Sequence, residues 1–115
     1  MGGCLFCKII RSEIPAKKAY EDDHVFAFHD ISPQAPVHIL FITKIHREHL
    51  MDLKEEEAAF LTGRLFAAIR KTASDHGLDS KGFRVVTNNG AEAGQSVFHL
   101  HFHLLAGRPM GWPPG

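Results

Sequence analysis

The ten residues Ser96-Val97-Phe98-His99-Leu100-His101-Phe102-His103-Leu104-Leu105 constrain the fold of this chain more than any other segment. Alternate residues of a strand face opposite sides. Read with that period, Val97 to Leu105 forms a final strand with His99, His101 and His103 on one face. Leu100, Phe102 and Leu104 lie on the other, turned to a core. A row of imidazoles on a merely solvated face is an uneconomical choice, so two functional readings compete. An H-x-H pair, about 6.6 Å apart along a strand, can chelate a transition metal. The three histidines span roughly 13 Å, too far for one ion to collect them all. Alternatively the middle one is a nucleophile or general base, with its neighbours orienting it and holding an anion.

Other segments complete an α+β pattern. Cys7 to Arg11 reads as a short N-terminal helical turn closed before Pro15. His24 to Phe28 and Val37 to Ile42 are β-branched and aromatic runs, separated by a loop holding Pro33 and Pro36. Asp52, with Glu55 three residues on, resembles the capping box of a long helix. Leu53, Phe60, Leu61, Leu65, Ala68, Ile69 and Ala73 recur at helical spacing and predict one buried face, and Gly77 stops the helix. Phe83 to Thr87 is a further strand, and Asn88 to Gly94 a loop. Strands, helix, strands, with few crossovers, predict an antiparallel sheet of about five strands carrying one long helix. Residues 1–115 are expected to be one domain, with an extended tail from about 107 to 115.

Composition narrows the function. Hydrophobic residues make up 44% and charged residues 23%, a globular rather than disordered mixture. Lys+Arg and Asp+Glu both number 13, which removes the electrostatic case for nucleic acid or an anionic membrane as principal partner. A small phosphate in a local pocket stays open. The start, Met1 to Cys7, lacks the features of a signal peptide, and Phe6 stands where myristoylation expects Ser or Thr. The expected location is cytoplasmic, and Cys4 and Cys7 are expected as thiols or metal ligands rather than a disulfide.

His99-Leu100-His101-Phe102-His103-Leu104-Leu105 matches the His-φ-His-φ-His-φ-φ signature, φ being apolar, of the histidine triad superfamily. Nearly the whole chain resembles its nucleotide-binding (Hint) branch. The matching blocks include Cys4-x-x-Cys7-Lys8-Ile9-Ile10, Glu13-Ile14-Pro15, Phe28 to Pro36, Gly94-Gln95-Ser96-Val97 and Gly107 to Gly115. The resemblance implies that His101 attacks the α-phosphorus to form a nucleotidyl-histidine that water then hydrolyses. It implies that His103 and Ser96 donate to the phosphate, with backbone N–H groups from Gln95 to Val97 adding to that site. His38 would orient or protonate. Asn88 would contact phosphate or sugar, though a turn-forming role before Asn89-Gly90 fits it equally. Asp30 would bind the ribose hydroxyls. Ile31, with Phe6, Ile9 and Phe28, would make a slot for the base.

The Trp112-Pro113-Pro114-Gly115 ending resembles the phosphoramidase branch, implying cleavage of the P–N bond of purine nucleoside 5′-phosphoramidates to the monophosphate. Dinucleoside polyphosphate hydrolysis, or a nucleotide-binding scaffold with incidental turnover, are the alternatives. Gly111 stands where relatives often carry a larger residue such as His, which touches leaving-group selectivity. The resemblance also implies a structural Zn²⁺ held by Cys4, Cys7, His46 and His99, with Thr43 replacing the Pro of a Pro-Lys-x-His segment. It implies a homodimer in which the long helices pack together, and the broad apolar stripe of Phe60, Leu61, Leu65, Phe66 and Ile69 is consistent with that. His24, His29, His49 and His76 are expected as surface or capping residues.

Overall fold

A computed structural model describes residues 3–115. The elements run α1 (Leu5–Ile10), β1 (Lys18–Glu21), β2 (Val25–His29), β3 (Val37–Thr43), α2 (Glu55–Asp75), β4 (Arg84–Val86) and β5 (His101–Ala106). The five strands form one antiparallel sheet in the order β1-β2-β3-β5-β4. The fold is α+β, as the order of elements predicts. No helix among the described residues is long and apolar enough to cross a membrane.

The sheet is covered on both faces, which is why β3 is apolar almost throughout. One face carries Val25, Ala27, Ile39, Phe41, Leu100, Phe102 and Leu104, closed by Leu65, Ala68 and Ile69 of α2. The other carries Phe26, Phe28, Leu40 and Ile42, closed by Phe6 and Ile9 of α1. Register then places the histidines. Ile42 pairs with His101, Leu40 with His103 and His38 with Leu105, so all three imidazoles share the α1 face.

Several boundaries depart from the sequence reading. The first helix starts at Leu5 rather than Cys7. β1 has no counterpart in the predicted elements; Lys18-Ala19-Tyr20-Glu21 is too short and too charged to stand out, and it exists because β2 offers it an edge. The last strand begins at His101 and not at Val97. Beyond the Ile42–His101 pair the ladder ends, and the Leu100 N–H donates instead to the Arg47 carbonyl at 2.7 Å.

Asp52 does not cap α2. It closes a separate 3₁₀ turn, Leu50–Asp52, by accepting from the Glu48 and His49 N–H groups, while the His49 ring accepts from Met51. Leu53 is extended between that turn and the helix, whose N-cap is Lys54 with no side-chain cap. Glu55, Glu56 and Glu57 in the first turn supply the negative charge that a helix N-terminus favours. Phe60 was expected on the buried stripe but is 52% exposed, its ring edge-on to His24. Gly77, at φ 68°, ends α2 in the left-handed conformation expected of it.

Candidate functional site

Two clusters of polar side chains grow from this face, and most of the histidines in them are oriented by a hydrogen bond on one ring nitrogen. His101 is buried at the start of β5, with Nδ1 2.6 Å from the His99 carbonyl. A carbonyl only accepts, so Nδ1 carries the proton and the lone pair of the neutral ring lies on Nε2. The ring forms part of a cleft wall. Phe6 packs edge-on against it with centroids 5.1 Å apart, holding the plane of the imidazole.

The neighbouring rings are oriented by a chain. The Gln34 N–H donates to His38 Nδ1 at 3.0 Å. The proton of neutral His38 therefore sits on Nε2, which lies 2.9 Å from His103 Nδ1 and 3.5 Å from Asp30 Oδ2. His103 Nδ1 must accept, which leaves His103 with a proton on Nε2. That ring also lines the cleft. A lone pair on His101 and an N–H on His103 thus stand side by side, ring centroids 5.1 Å apart.

Burial keeps these rings neutral. Desolvation depresses the pKa of His101 below the usual imidazole range, against the His99 carbonyl and the Asp30 charge, which raise it. His103 falls to about 4, through desolvation first and then the proximity of His101 and His38. His38 is lowered by burial, partly offset by Asp30. Near neutral pH the cluster offers one nucleophilic nitrogen and one neutral donor, with no proton competing for the lone pair.

The cleft, about 260 Å³, continues from His101 and His103 past Ser96 and Val97 on one side to Asp30 and Ile31 on the other. Its floor is apolar, from Phe6, Ile9, Phe28 and Leu40. Asp30 Oδ1 accepts from the Ser32 N–H at 2.8 Å, which turns the carboxylate at the rim. Ile31 is 97% exposed, free to cover a ligand from above. Ser96 is exposed, at the lip. Gln95 is buried and its side chain is spent on the loop itself: Oε1 accepts from Gly90 N–H, and Nε2 donates to the Glu48 and Val97 carbonyls. Its own N–H donates to the Gly90 carbonyl, so the free backbone donors of this stretch begin at Ser96. Asn88 is half-buried beyond the end of β4 and outside the cleft wall, while Asn89 takes the structural task of accepting from Leu50 N–H.

The second cluster lies at the other end of the triad. His99 is fully buried, with Nε2 2.7 Å from the Thr43 carbonyl, so its free lone pair is on Nδ1. Cys4 Sγ is 3.4 Å and Cys7 Sγ 3.7 Å from that nitrogen, and His46 Nδ1 is 3.3 Å from it and also 3.3 Å from Cys7 Sγ. The four donor atoms lie within 4.8 Å of one another. Bond lengths of about 2.3 Å to sulfur and about 2.0–2.1 Å to nitrogen imply tetrahedron edges of roughly 3.3–3.8 Å. These four separations, 3.3–3.7 Å, fall in that range, so the residues fit a four-coordinate site and could hold a zinc ion. The His99 pKa, pressed to about 4 by desolvation, keeps its ring neutral and ready to ligate.

Every residue singled out in the sequence for the metal cluster is brought together, and so are His38, Asp30, His101 and His103. The groups that sequence reasoning missed are backbone ones: the carbonyls of Thr43 and His99 and the N–H of Gln34. No side-chain motif could report them, because they enter the site through register and loop shape. The remaining histidines divide as follows. His49 caps the 3₁₀ turn, His76 bonds the Thr72 carbonyl at the end of α2, and His24 and His29 are half-buried at strand ends.

Residues 11–110 match the family model for the HIT domain. The chain is 50% identical over 113 residues to the 14 kDa zinc-binding protein of Brassica juncea, covering 96% of this chain and 98% of that one. It is 49% identical to adenylylsulfatase HINT1 of Arabidopsis thaliana, covering 96% of this chain and 76% of that one. The crystal structure of a HIT family hydrolase from Legionella pneumophila superposes with a TM-score of 0.92 at 45% identity, covering 98% of this chain and 100% of that one. In sequence and in fold, this chain belongs to the HIT domain family.

Proposed function

We propose that the chain, acting as one domain over residues 1–115, is a nucleotide hydrolase that cleaves the P–N bond of purine nucleoside 5′-phosphoramidates. The observation that carries this reading is His101: a buried, neutral imidazole whose Nδ1–H is locked on the His99 carbonyl and whose lone pair belongs to a nitrogen on the cleft side. A locked tautomer is a nucleophile that needs no base.

In the first step Nε2 of His101 bonds to the α-phosphorus and the P–N bond breaks. The amine leaves with a proton from solvent at the open mouth of the cleft. The phosphorylated ring is then an imidazolium whose Nδ1–H still faces a carbonyl, which eases the developing charge. In the second step water attacks the phosphorus, His101 departs as neutral imidazole, and the monophosphate is released with one proton. His103 Nε2–H and the Ser96 hydroxyl donate to the nonbridging oxygens, with the N–H groups of Ser96 and Val97 beside them. Asp30 accepts from the ribose hydroxyls, and the Phe6, Ile9, Phe28 and Ile31 surface takes the base. Asn88 would contact the phosphate or the sugar.

The Arabidopsis relative's name, adenylylsulfatase, supports a second leaving group, sulfate, expelled from a mixed phosphate–sulfate anhydride by the same nucleophile. We further read Cys4, Cys7, His46 and His99 as a structural zinc site, in line with the Brassica relative's name. The protein acts in the cytoplasm as a homodimer: Phe60 and Phe66 on α2 are about half exposed, and Trp112 is 84% exposed. A monomeric mass in analytical ultracentrifugation at micromolar concentration would remove the dimer from this reading.

The test is release of a fluorescent amine from its adenosine 5′-phosphoramidate, run beside adenylyl sulfate and a dinucleoside polyphosphate. Turnover of the phosphoramidate with a trapped nucleotidyl-enzyme is the expected result. A folded protein that binds AMP and turns over none of the three is a binding protein instead.

A further inference from the structure

Arg108 lies outside the cleft, at the root of the C-terminal tail, and the reaction described above does not use it. Its guanidinium donates twice to one acceptor, the Gln34 carbonyl, from Nε at 3.1 Å and from Nη2 at 2.9 Å. Nη1 turns back to the Pro109 carbonyl at 3.0 Å. Two bonds converging from a planar group on one oxygen fix direction as well as distance.

Gln34 is the residue whose N–H donates to His38 Nδ1. It sits on an exposed loop, Ile31 to Gln34, whose remaining hydrogen bonds are largely local: Ser32 N–H to Asp30, and the Gln34 side chain to the Ser32 carbonyl. Among the described residues, two side chains outside the loop bond to Gln34: His38, four residues on, and Arg108, from the far end of the chain. The same tail root presses on the loop a second time. Gly107, at φ 96°, lies so close to Pro36 that an added Cβ would stand 2.7 Å from the proline Cβ, a separation backbone and ring cannot accept. A glycine that must be a glycine followed by a two-pronged arginine holds the loop against the end of β5.

We propose that Arg108 is a positioning residue for the histidine relay: by holding Gln34 it selects the His38 tautomer, and through it the proton on the cleft side of His103. The inference rests on the reading of His101 and His103 given under Proposed function. With Gln34 N–H in place, His38 Nδ1 can only accept, so Nε2 donates to His103 and His103 keeps its proton on Nε2. If the loop drifts, His38 is free to protonate Nδ1 and offer a lone pair on Nε2. His103 must then donate from Nδ1, and its Nε2 presents a lone pair to an anionic phosphate. The donor that stabilises the transition state becomes a repulsive acceptor, with no change in any residue of the cleft.

The experiment reads the tautomer directly and the activity separately. Protein labelled with ¹⁵N at histidine is recorded at neutral pH as wild type, Arg108→Ala, Arg108→Lys and a chain ending at Met110 that keeps Arg108 but loses the tail. Wild type is expected to show His38 as the Nε2–H form. Arg108→Ala shifts its two ring nitrogens toward a mixture, Arg108→Lys restores most of the wild-type signal through a single bond, and the truncated chain retains it. In the turnover assay Arg108→Ala lowers kcat about tenfold with KM changed less than about threefold, and Arg108→Lys recovers part of it. An unchanged His38 spectrum in a folded Arg108→Ala overturns the proposal whatever the activity does. So does loss of the Nε2–H form in the truncated chain, which would assign the effect to the tail. Should Arg108→Ala fail to fold, the Arg108→Gln variant, which keeps one donor, carries the same readout. A wild type with the expected tautomer and no turnover would instead overturn the phosphoramidase reading and leave the relay standing.

Discussion

His99 and His101 are two residues apart, share one face and are both buried, yet they are locked by opposite nitrogens. His99 spends Nε2 on the Thr43 carbonyl and presents Nδ1. His101 spends Nδ1 on the His99 carbonyl and presents Nε2. The first lone pair converges with two thiols and a second imidazole on a single point; the second opens into a cleft. Chemistry in this molecule is assigned less by residue type than by which backbone carbonyl each ring meets. Desolvation acts on both alike, holding them neutral, so electrostatics sets their readiness and hydrogen bonding sets their direction.

Removing each histidine in turn separates the two sites. His101→Ala is expected to lower turnover by at least about 10³-fold, equivalent to roughly 4 kcal/mol of transition-state stabilisation, while AMP binding and bound metal persist. His99→Ala should show the reverse emphasis, with metal content lost and thermal stability reduced. Equal losses of activity and metal in both variants would mean the two clusters work as one.

Metal removal comes next in size. If the four-ligand cluster holds zinc at about a hundredfold above its dissociation constant, chelation removes about 2.7 kcal/mol. For a chain of this length that is a fall in Tm of roughly 10 °C. Cys4→Ser should show the lower Tm without chelator and respond little to adding it. Elemental analysis that finds no metal in a fully stable wild type would separate the clusters in another way, leaving the second as packing alone.

The smallest effect concerns pH. His103 has a pKa of about 4 in the folded chain against the ordinary 6.5. Between those values the unfolded chain binds more protons, so stability falls as pH drops through this window and is flat above it. From about pH 7 to about pH 5.5 one such histidine costs about 1.3 kcal/mol. Denaturation midpoints should fall accordingly in wild type and less steeply in His103→Asn. An identical slope in the two would show that His103 is as accessible to protons folded as unfolded.

Much of the site was legible beforehand because it lies on a strand. A period of two put His101 and His103 on one face and Leu100, Phe102 and Leu104 on the other, and the β3–β5 register obeys it. Carried back to Val97, the same period runs past the ladder, which begins only at His101. The misplaced helix start at Asp52 has a related cause: the Asp-x-x-Glu spacing describes a cap in isolation, whereas His49 competed successfully for the same carboxylate. Phe60 fits the helical stripe by spacing alone, but it stays half exposed with its ring edge-on to His24.

Local patterning along the chain specifies the inventory of groups and the face each takes. It holds the apolar and polar periods, the two cysteines three apart, the glycine that ends α2 and the spacing of the triad, because these depend on local geometry that repeats along the chain. Folding sets which nitrogen of each ring is free, how close four distant donors come, and that Arg108 holds Gln34. Those outcomes depend on backbone groups far apart in sequence, Thr43 for His99 and Gln34 for His38. A carbonyl or an N–H is the same in every residue, so its place in a site becomes visible only once the chain has folded around it.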